Sequence, residues 1–180
     1  MKEALSYLLV FAGLGMTLWA YSATAGRLRY LEARPMIIHL LRTNGNQAEL
    51  MARSGKTTFL EAVAAAIKTA AMMKTTDVAI IASATKPAYD ASVAPIGMHW
   101  KGVLKRVRTG AVLTLGGVVT AIAVGAFPLL HILIAITVFF FAGYIVIFKL
   151  DVDRSLLLAR AEILPEVEHS FANGRYMLPP

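Results

Sequence analysis

The chain has 180 residues, of which 57% are hydrophobic, and it carries a formal net charge of +7 at pH 7. A soluble domain is usually about 45–50% apolar, so this composition favours a membrane protein. The chain has no cysteine, which excludes a disulfide framework, a thiolate metal site and a cysteine nucleophile.

The first apolar run predicts a transmembrane helix over residues 4–22. It is uncharged and ends at Trp19 and Tyr21, whose amphipathic rings prefer the membrane interface. The alternative is a cleaved signal peptide, because the segment 23–25 offers an Ala-x-Ala cleavage pattern. We favour a retained anchor, since Arg27 and Arg29 follow that point directly and resist translocation.

The most apolar stretch spans residues 110–148 and contains no Lys, Arg, Asp or Glu. Crossing a bilayer as a helix takes about 20 apolar residues, so this length predicts two crossings joined by a tight turn. We place the second transmembrane helix at 109–127 and the third at 129–148, with the turn at Pro128. The predicted fold class is therefore an all-α membrane protein with one N-terminal span and a C-terminal helical hairpin.

The positive charge is concentrated between the first and second spans. Residues 23–108 hold 13 basic and 5 acidic residues, a net +8, whereas residues 149–180 hold 4 and 5, a net −1. Basic loops stay in the cytoplasm, which predicts a multi-pass inner-membrane protein with its N-terminus outside and its C-terminus inside. The residues assigned to topology and anionic lipid headgroups are Arg27, Arg29, Lys101, Lys105, Arg106 and Arg108. A nucleic-acid partner is disfavoured, because no aromatic residues interleave these basic ones.

The basic region 23–108 is predicted to be a cytoplasmic helical region. Residues 26–43 continue helically, with a kink or restart at Pro35 and a stop at Asn44. The predicted apolar side of this helix consists of Leu28, Leu31, Ile38 and Leu41.

The run Ser54-Gly55-Lys56-Thr57-Thr58 has two interpretations. It matches the end of a phosphate-binding loop, but that motif needs another glycine where the chain has Leu50. We favour a capping box formed by Thr58 and Glu61. It starts a helix over 59–73 with an apolar stripe of Leu60, Val63, Ile67 and Ala71.

The remainder of the loop region and the tail contain several breakers. The short apolar run 78–82 is either helix or strand, and residues 86–97 are predicted to be a loop because of their prolines and glycine. An amphipathic helix with Trp100 and Val103 then leads into the second span. The tail, 149–180, is predicted to hold a short amphipathic helix from Ser155 that Pro165 stops, with mobile chain from Glu166 onward.

Small and polar residues mark the predicted packing positions inside the membrane. Gly117, Ala121 and Gly125 recur every fourth residue, a spacing that lets helix backbones approach. The intramembrane polar residues are Thr114, Thr120 and His131. An ionisable residue in a span is a functional candidate, and hydrogen bonding near a helix end is the alternative for His131.

No catalytic motif is present, and the four histidines lack metal-ligand spacing, so we expect neither an enzyme nor a cofactor, metal or small-molecule substrate. The favoured function is an integral inner-membrane subunit of a multi-protein cell-envelope assembly, of secretion or conjugation type. Its partners would be other membrane subunits or further copies of itself, contacted through small-residue helix faces.

Two alternatives remain. The layout resembles the TolQ/ExbB/MotA group, and the run Leu113-Thr114-Leu115-Gly116-Gly117-Val118-Val119 is similar to the glycine- and threonine-bearing span of that group. The resemblance implies an energy-coupling subunit that works with a one-span partner. The chain departs from the group in its short turn between the last two spans and in lacking an intramembrane glutamate. A small transporter or channel is the second alternative.

Overall fold

The computed structural model describes residues 2–25, 27–125 and 129–174, and the chain is helical throughout these parts, with 88% helix and no strand. The helices in chain order are α1 Lys2–Ser22, α2 Tyr30–Thr43, α3 Gly45–Ser54, α4 Phe59–Met73, α5 Val78–Ala123, α6 Leu129–Glu162 and α7 Leu164–Ala172. Three helical stretches are long and apolar enough to cross a membrane, within Glu3–Ser22, Val78–Ala123 and Leu129–Ala172. The all-α prediction with three apolar spans is confirmed at this level, while the predicted turn at Pro128 lies outside the described residues.

The chain divides into two compact units. The first, here called the apolar unit, comprises Met1–Gly26 and Trp100–Lys149. The second, here called the charged unit, comprises Arg27–His99 and Leu150–Pro180. Helices α5 and α6 each contribute residues to both units.

The buried positions of the apolar unit alternate three and four residues apart. In α1 they are Ser6, Val10, Gly13, Thr17 and Ala20, and in α5 they are Trp100, Val103, Val107, Gly110, Thr114, Gly117 and Ala121. This spacing averages about 3.5 residues per turn, which keeps one seam of each helix against its neighbours in a left-handed supercoil.

Contacts along α1 show the direction of the other two helices in the apolar unit. Val10 lies against Gly117 and Trp19 lies against Arg106, so α1 and α5 are antiparallel. Aromatic contacts also join the start of α1 to the start of α6 and the end of α1 to the middle of α6, so these two helices are parallel. Helix α1 therefore contacts both neighbours along its length.

The outward faces of the apolar unit carry large apolar side chains. The exposed ones include Leu5, Leu8 and Phe11 in α1, Val112, Leu115, Val119 and Ile122 in α5, and Ile132, Leu133, Ile136, Phe139 and Phe140 in α6. Inside, the contact between helices includes Ser6, Thr17, Thr114 and His131 beside buried valine and aromatic side chains. Polar and small residues at helix contacts with apolar residues outside are typical of helices packed in a bilayer.

In the charged unit, α2 buries a face that shares only Leu41 with the predicted one. Its buried residues are Tyr30, Ala33, Ile37 and Leu41, whereas Leu31 is 84% exposed. The prediction counted aliphatic residues only, but the ring of Tyr30 packs edge-on against Phe59 at 5.1 Å. With Tyr30 buried in this way, the buried face includes Tyr30 and Ile37 in place of the adjacent Leu31 and Ile38, and Leu28 lies outside it. Pro35 stays within the single helix.

Helix α4 has the predicted limits, Phe59–Met73. Thr58 Oγ1 accepts a hydrogen bond from the Leu60 amide at 3.3 Å, and the Glu61 carboxylate accepts one from the Thr57 amide. The capping interpretation is thus confirmed, with the return bond one residue earlier than in the standard box. A Cβ at Gly55 would collide with the Leu60 side chain, so packing explains this glycine without a phosphate. On the buried face, Ala70 takes the place predicted for Ala71.

The predicted loop over 86–97 is wrong, because α5 continues through it with Pro87 and Pro95 inside the helix. Each proline removes one backbone hydrogen bond but keeps a helical φ. Tertiary contacts hold this stretch, since the Tyr89 hydroxyl donates to the Leu156 carbonyl at 2.7 Å and its ring is fully buried. Packing of this kind outweighs local propensity in deciding helix boundaries.

The tail also differs from its prediction. The stretch from Ser155 is the end of α6 rather than a separate helix, and Pro165 lies in the first turn of α7 instead of stopping a helix. A proline suits that position, because the first helical amides have no partner within the helix. The Ser170 hydroxyl donates to the Leu41 carbonyl at 2.7 Å, so residues from Glu166 to Gly174 are folded against the same chain. Residues 175–180 lie outside the described part.

Candidate functional site

A close contact between α1 and α5 is built from two glycine–threonine pairs. A Cβ at Gly110 would lie 2.5 Å from Thr17 Oγ1 and 2.8 Å from the Gly13 carbonyl oxygen. A Cβ at Gly13 would likewise collide with Thr114 Oγ1. Each threonine hydroxyl donates to the glycine four residues earlier in its own helix, at 2.9 Å. The hydroxyls are therefore satisfied, and each backbone fits under the opposite threonine.

The predicted helix-packing residues divide between this seam and the turn after α5. Gly117 and Ala121 are buried, and a Cβ at Gly117 would lie 2.8 Å from the Ser6 carbonyl. Their face is thus occupied by α1 of the same chain. Gly125 lies outside the packed face, because it is exposed in the turn after α5 with nothing within 4 Å of a Cβ there. Its φ of +69° lies in the left-handed region, which glycine adopts without steric cost, and this explains why a glycine occupies the position.

The two predicted intramembrane threonines have different surroundings. Thr114 is fully buried in the seam. Thr120 is on the outer side of α5, and its hydroxyl donates back to the Gly116 carbonyl at 2.7 Å. A threonine hydroxyl that donates to its own helix in this way is hydrogen-bonded without a partner from a neighbouring helix.

His131 is fully buried in the apolar unit, at the start of α6. Its Nε2 lies 3.0 Å from Ser6 Oγ, and its ring lies 4.4 Å from the Tyr7 ring. The Ser6 hydroxyl also donates to the Glu3 carbonyl at 2.7 Å, which makes Ser6 an acceptor for Nε2–H. Nδ1 is buried with no hydrogen-bond partner among the described residues. A buried polar atom without a hydrogen bond costs free energy, so its presence in a fold calls for a structural or functional explanation.

The other end of the apolar unit carries aromatic rings and basic side chains. Trp19 is 60% exposed, and the Arg106 guanidinium carbon lies 4.1 Å from its ring centre. Tyr21 packs against Phe141 at 4.8 Å between ring centres. The cations of this end, here called the basic band, are Lys101, Lys105, Arg106 and Arg108. None of the four has a carboxylate partner within the described residues.

Four arginines of the charged unit pair with carboxylates, among them Arg53 with Glu49 in α3. Arg34 binds Glu162, Arg42 binds Glu166, and Arg160 binds Asp90 at 2.7 Å. Such exposed pairs individually contribute little to stability. The pairs between helices join α2 to the end of α6 and to α7, and they join α5 to α6. Of the other predicted headgroup residues, Arg27 and Arg29 precede α2 in this unit.

The Tyr30–Glu162 contact is the polar centre of this network. The Tyr30 hydroxyl donates to Glu162 at 2.9 Å, and burial, then this bond, raises the pKa of Tyr30 to about 12. Hydrogen bonds from Tyr30 and Arg34 lower the pKa of Glu162. The carboxylate's contribution is lost only as the pH falls through that lowered pKa, and the phenol's only as the pH rises towards about 12, so the contact persists across neutral pH.

Sequence reasoning missed Gly13, Thr17 and Gly110. The signal was present, because a glycine followed four residues later by a threonine occurs in both helices, at Gly13-x-x-x-Thr17 and at Gly110-x-x-x-Thr114. The prediction searched only the second span for small residues.

Comparison of the chain with protein-family models, curated proteins and solved structures gave no match. The class of protein is therefore defined by the fold alone, an all-helical chain with three helices able to span a membrane. Within the described residues, no three His, Cys, Asp or Glu side chains lie together as a metal site would require.

Proposed function

We propose that this chain is a non-enzymatic, multi-pass inner-membrane subunit of a multi-protein cell-envelope assembly, of secretion or conjugation type. The observation that carries the proposal is the inverted packing of the apolar unit. Gly13, Thr17, Gly110, Thr114 and His131 are buried where its helices meet, whereas most of its large aliphatic and phenylalanine side chains are exposed. In water such a surface would aggregate, whereas hydrocarbon solvates it.

The charge distribution supports an orientation in the membrane. The basic band lies at the end of α1 next to Trp19, and the charged unit holds most of the remaining basic residues. The positive-inside rule then places the charged unit in the cytoplasm and the N-terminus outside.

A structural role is supported by how the buried polar groups are used. The seam threonines Thr17 and Thr114 bond to their own helices, while Tyr89 and Ser170 tie separate helices of the charged unit together. These hydrogen bonds shape and fasten the fold.

The surface for partners lies on the charged unit. This unit carries ion pairs on its surface, and it also exposes large apolar side chains. Leu31 is 84% exposed, Leu50 is 68% exposed, Met98 is 65% exposed and Met72 is 64% exposed. Exposed apolar residues form protein contacts where they lie together in one patch, and we propose that these side chains contribute to such a patch. The small-residue seam is filled within the chain, so partner subunits or further copies would bind through these side chains.

The assembly is tested by extracting the protein from native membranes into lipid nanodiscs and measuring the mass of the particle. We expect a discrete complex containing other integral membrane proteins, and we expect Leu50→Glu or Leu31→Glu to dissociate it. Lys68→Glu, at an exposed polar position of α4, is the matched control and should leave the complex intact. A particle that contains one copy of this chain and no other protein would contradict the proposal.

The His131 cluster favours a second candidate, an energy-coupling subunit that works with a one-span partner. Its buried imidazole, with Nδ1 unpartnered, is a titratable group inside the predicted membrane region. For this candidate the nanodisc particle would be a homo-oligomer around a one-span protein with an intramembrane carboxylate. Ion flux through the chain alone in liposomes would instead favour a small transporter or channel.

A substitution at His131 separates the second candidate from the first. If His131 carries protons, His131→Gln should abolish proton uptake by liposomes that hold the purified particle. Glutamine retains an amide near Ser6, so assembly should persist. Unchanged proton uptake in the His131→Gln variant, or no uptake by the original particle, would refute the second candidate and leave His131 with a packing role.

A further inference from the structure

We propose that Arg106 and Trp19 form a binding site for the headgroup of an anionic phospholipid. The proposal rests on the membrane placement given above and goes further, since it assigns a ligand class to two named side chains of the apolar unit.

The first argument is geometric. The Arg106 guanidinium lies over the Trp19 ring, with 4.1 Å between its central carbon and the ring centre. A cation–π contact does not use the N–H donors of a guanidinium, so they stay available for hydrogen bonds. A fixed guanidinium with available N–H donors is suited to a phosphate, which it can bind through two parallel hydrogen bonds.

The second argument is charge. The arginines with a carboxylate partner in the described residues, Arg34, Arg42, Arg53 and Arg160, all belong to the charged unit. By contrast, Arg106 and the rest of the basic band have no carboxylate partner among the described residues. Four unneutralised cations along about two turns of α5 require anions from outside the chain, and the anions concentrated at a membrane surface are lipid headgroups.

The third argument is access. Trp19 is 60% exposed, although tryptophan in a folded chain is usually well buried. Gly102 lies one helical turn before Arg106 on the same side of α5, and a Cβ there would meet nothing within 4 Å. The surface of α5 at Gly102 is therefore open, and α1 exposes apolar side chains beside Trp19, such as Leu18. The open surface at Gly102 suits a lipid headgroup, and the exposed apolar side chains of α1 suit its acyl chains.

Fluorescence of Trp19 tests the proposal directly. The chain has two tryptophans, so Trp100→Phe leaves Trp19 as the only one. In liposomes, we compare its quenching by brominated phosphatidylglycerol and by brominated phosphatidylcholine. We expect phosphatidylglycerol to bind more tightly at Trp19 than phosphatidylcholine does. Arg106→Gln should lower the ratio of the two affinities about fivefold, the effect of one basic residue near an anionic surface, while Arg108→Gln, the matched control without an aromatic partner, should lower it less.

Each contrary result has a distinct meaning. Equal quenching by both lipids, or a ratio unaffected by Arg106→Gln, would overturn the lipid site alone. Absence of quenching by either lipid would overturn the membrane placement as well.

Native mass spectrometry is a second test, and it does not need the Trp100→Phe substitution because it uses the chain with both tryptophans. It should show one fewer retained phosphatidylglycerol for Arg106→Gln than for Arg108→Gln, and equal numbers would overturn the site. Displacement of the retained lipid by millimolar inorganic phosphate would assign the site to free anions and also overturn it.

Discussion

Replacing Gly13 by alanine is expected to lower the free energy of unfolding by about 3 kcal/mol, the upper range for overpacking a close contact. The new methyl group would collide with Thr114 Oγ1 and would lie 2.5 Å from the Gly110 carbonyl oxygen. Because that oxygen belongs to a helix backbone, α1 and α5 would have to separate. The measurement is equilibrium unfolding of the full chain in mixed micelles.

Gly15→Ala is the matched control for this substitution. Gly15 lies in the same helix two residues later, and a Cβ there meets nothing within 4 Å. Its replacement should change stability by no more than about 0.5 kcal/mol, since exposed substitutions are usually near neutral. Equal stabilities for the two variants would show that α1 does not pack on α5 through Gly13.

Phe59→Ala is expected to destabilise the charged unit by about 3–5 kcal/mol, the usual cost of removing a buried phenylalanine side chain. Phe59 is 1% exposed, and its ring packs edge-on against Tyr30, so its loss leaves a cavity between α2 and α4. Hydrogen exchange should detect this as an increase of more than about a hundredfold in the exchange rates of α4 amides, since each 1.4 kcal/mol is about tenfold.

The control for Phe59 is Leu50→Ala, which removes a large apolar side chain from a position that is 68% exposed. Its effect on exchange in α4 should be small, because almost no packed surface is lost. If Leu50→Ala accelerated exchange as strongly as Phe59→Ala, the core assigned to the charged unit would be wrong.

The fold was most predictable where one signal decided the structure. Length and lack of charge predicted apolar helices at the N-terminus and on either side of Pro128, because few other structures tolerate such runs. The limits of α4 were predictable from Thr58 and Glu61, whose side chains satisfy the first free amides of that helix.

Prediction failed where distant contacts decided the outcome. Pro87 and Pro95 are ordinary loop signals, and tertiary contacts such as the buried Tyr89 and its bond to Leu156 keep them in a helix. Pro165 was taken as a stop although it starts α7, since a proline suits both the residue after a helix and its first turn. These choices depend on neighbours far away in the sequence.

The candidate site was predictable in part. Gly117 and His131 were identified from residue type and position alone, but their neighbour Ser6 lies more than a hundred residues away in the chain. The partner of Arg106 could not be found either, because the contact with Trp19 depends on α1 and α5 being antiparallel. Residue patterns indicated which side chains matter, and the pairing of helices decided what each one contacts.

The central proposal is that the apolar unit spans the bilayer and that the charged unit is cytoplasmic. The chain has no cysteine, so single cysteines introduced as Met72→Cys and Phe127→Cys can be labelled with an impermeant maleimide in intact spheroplasts. The account predicts that Phe127→Cys is labelled from outside and that Met72→Cys is labelled only after lysis. Labelling of Met72→Cys in intact cells, with Phe127→Cys protected until lysis, would contradict it.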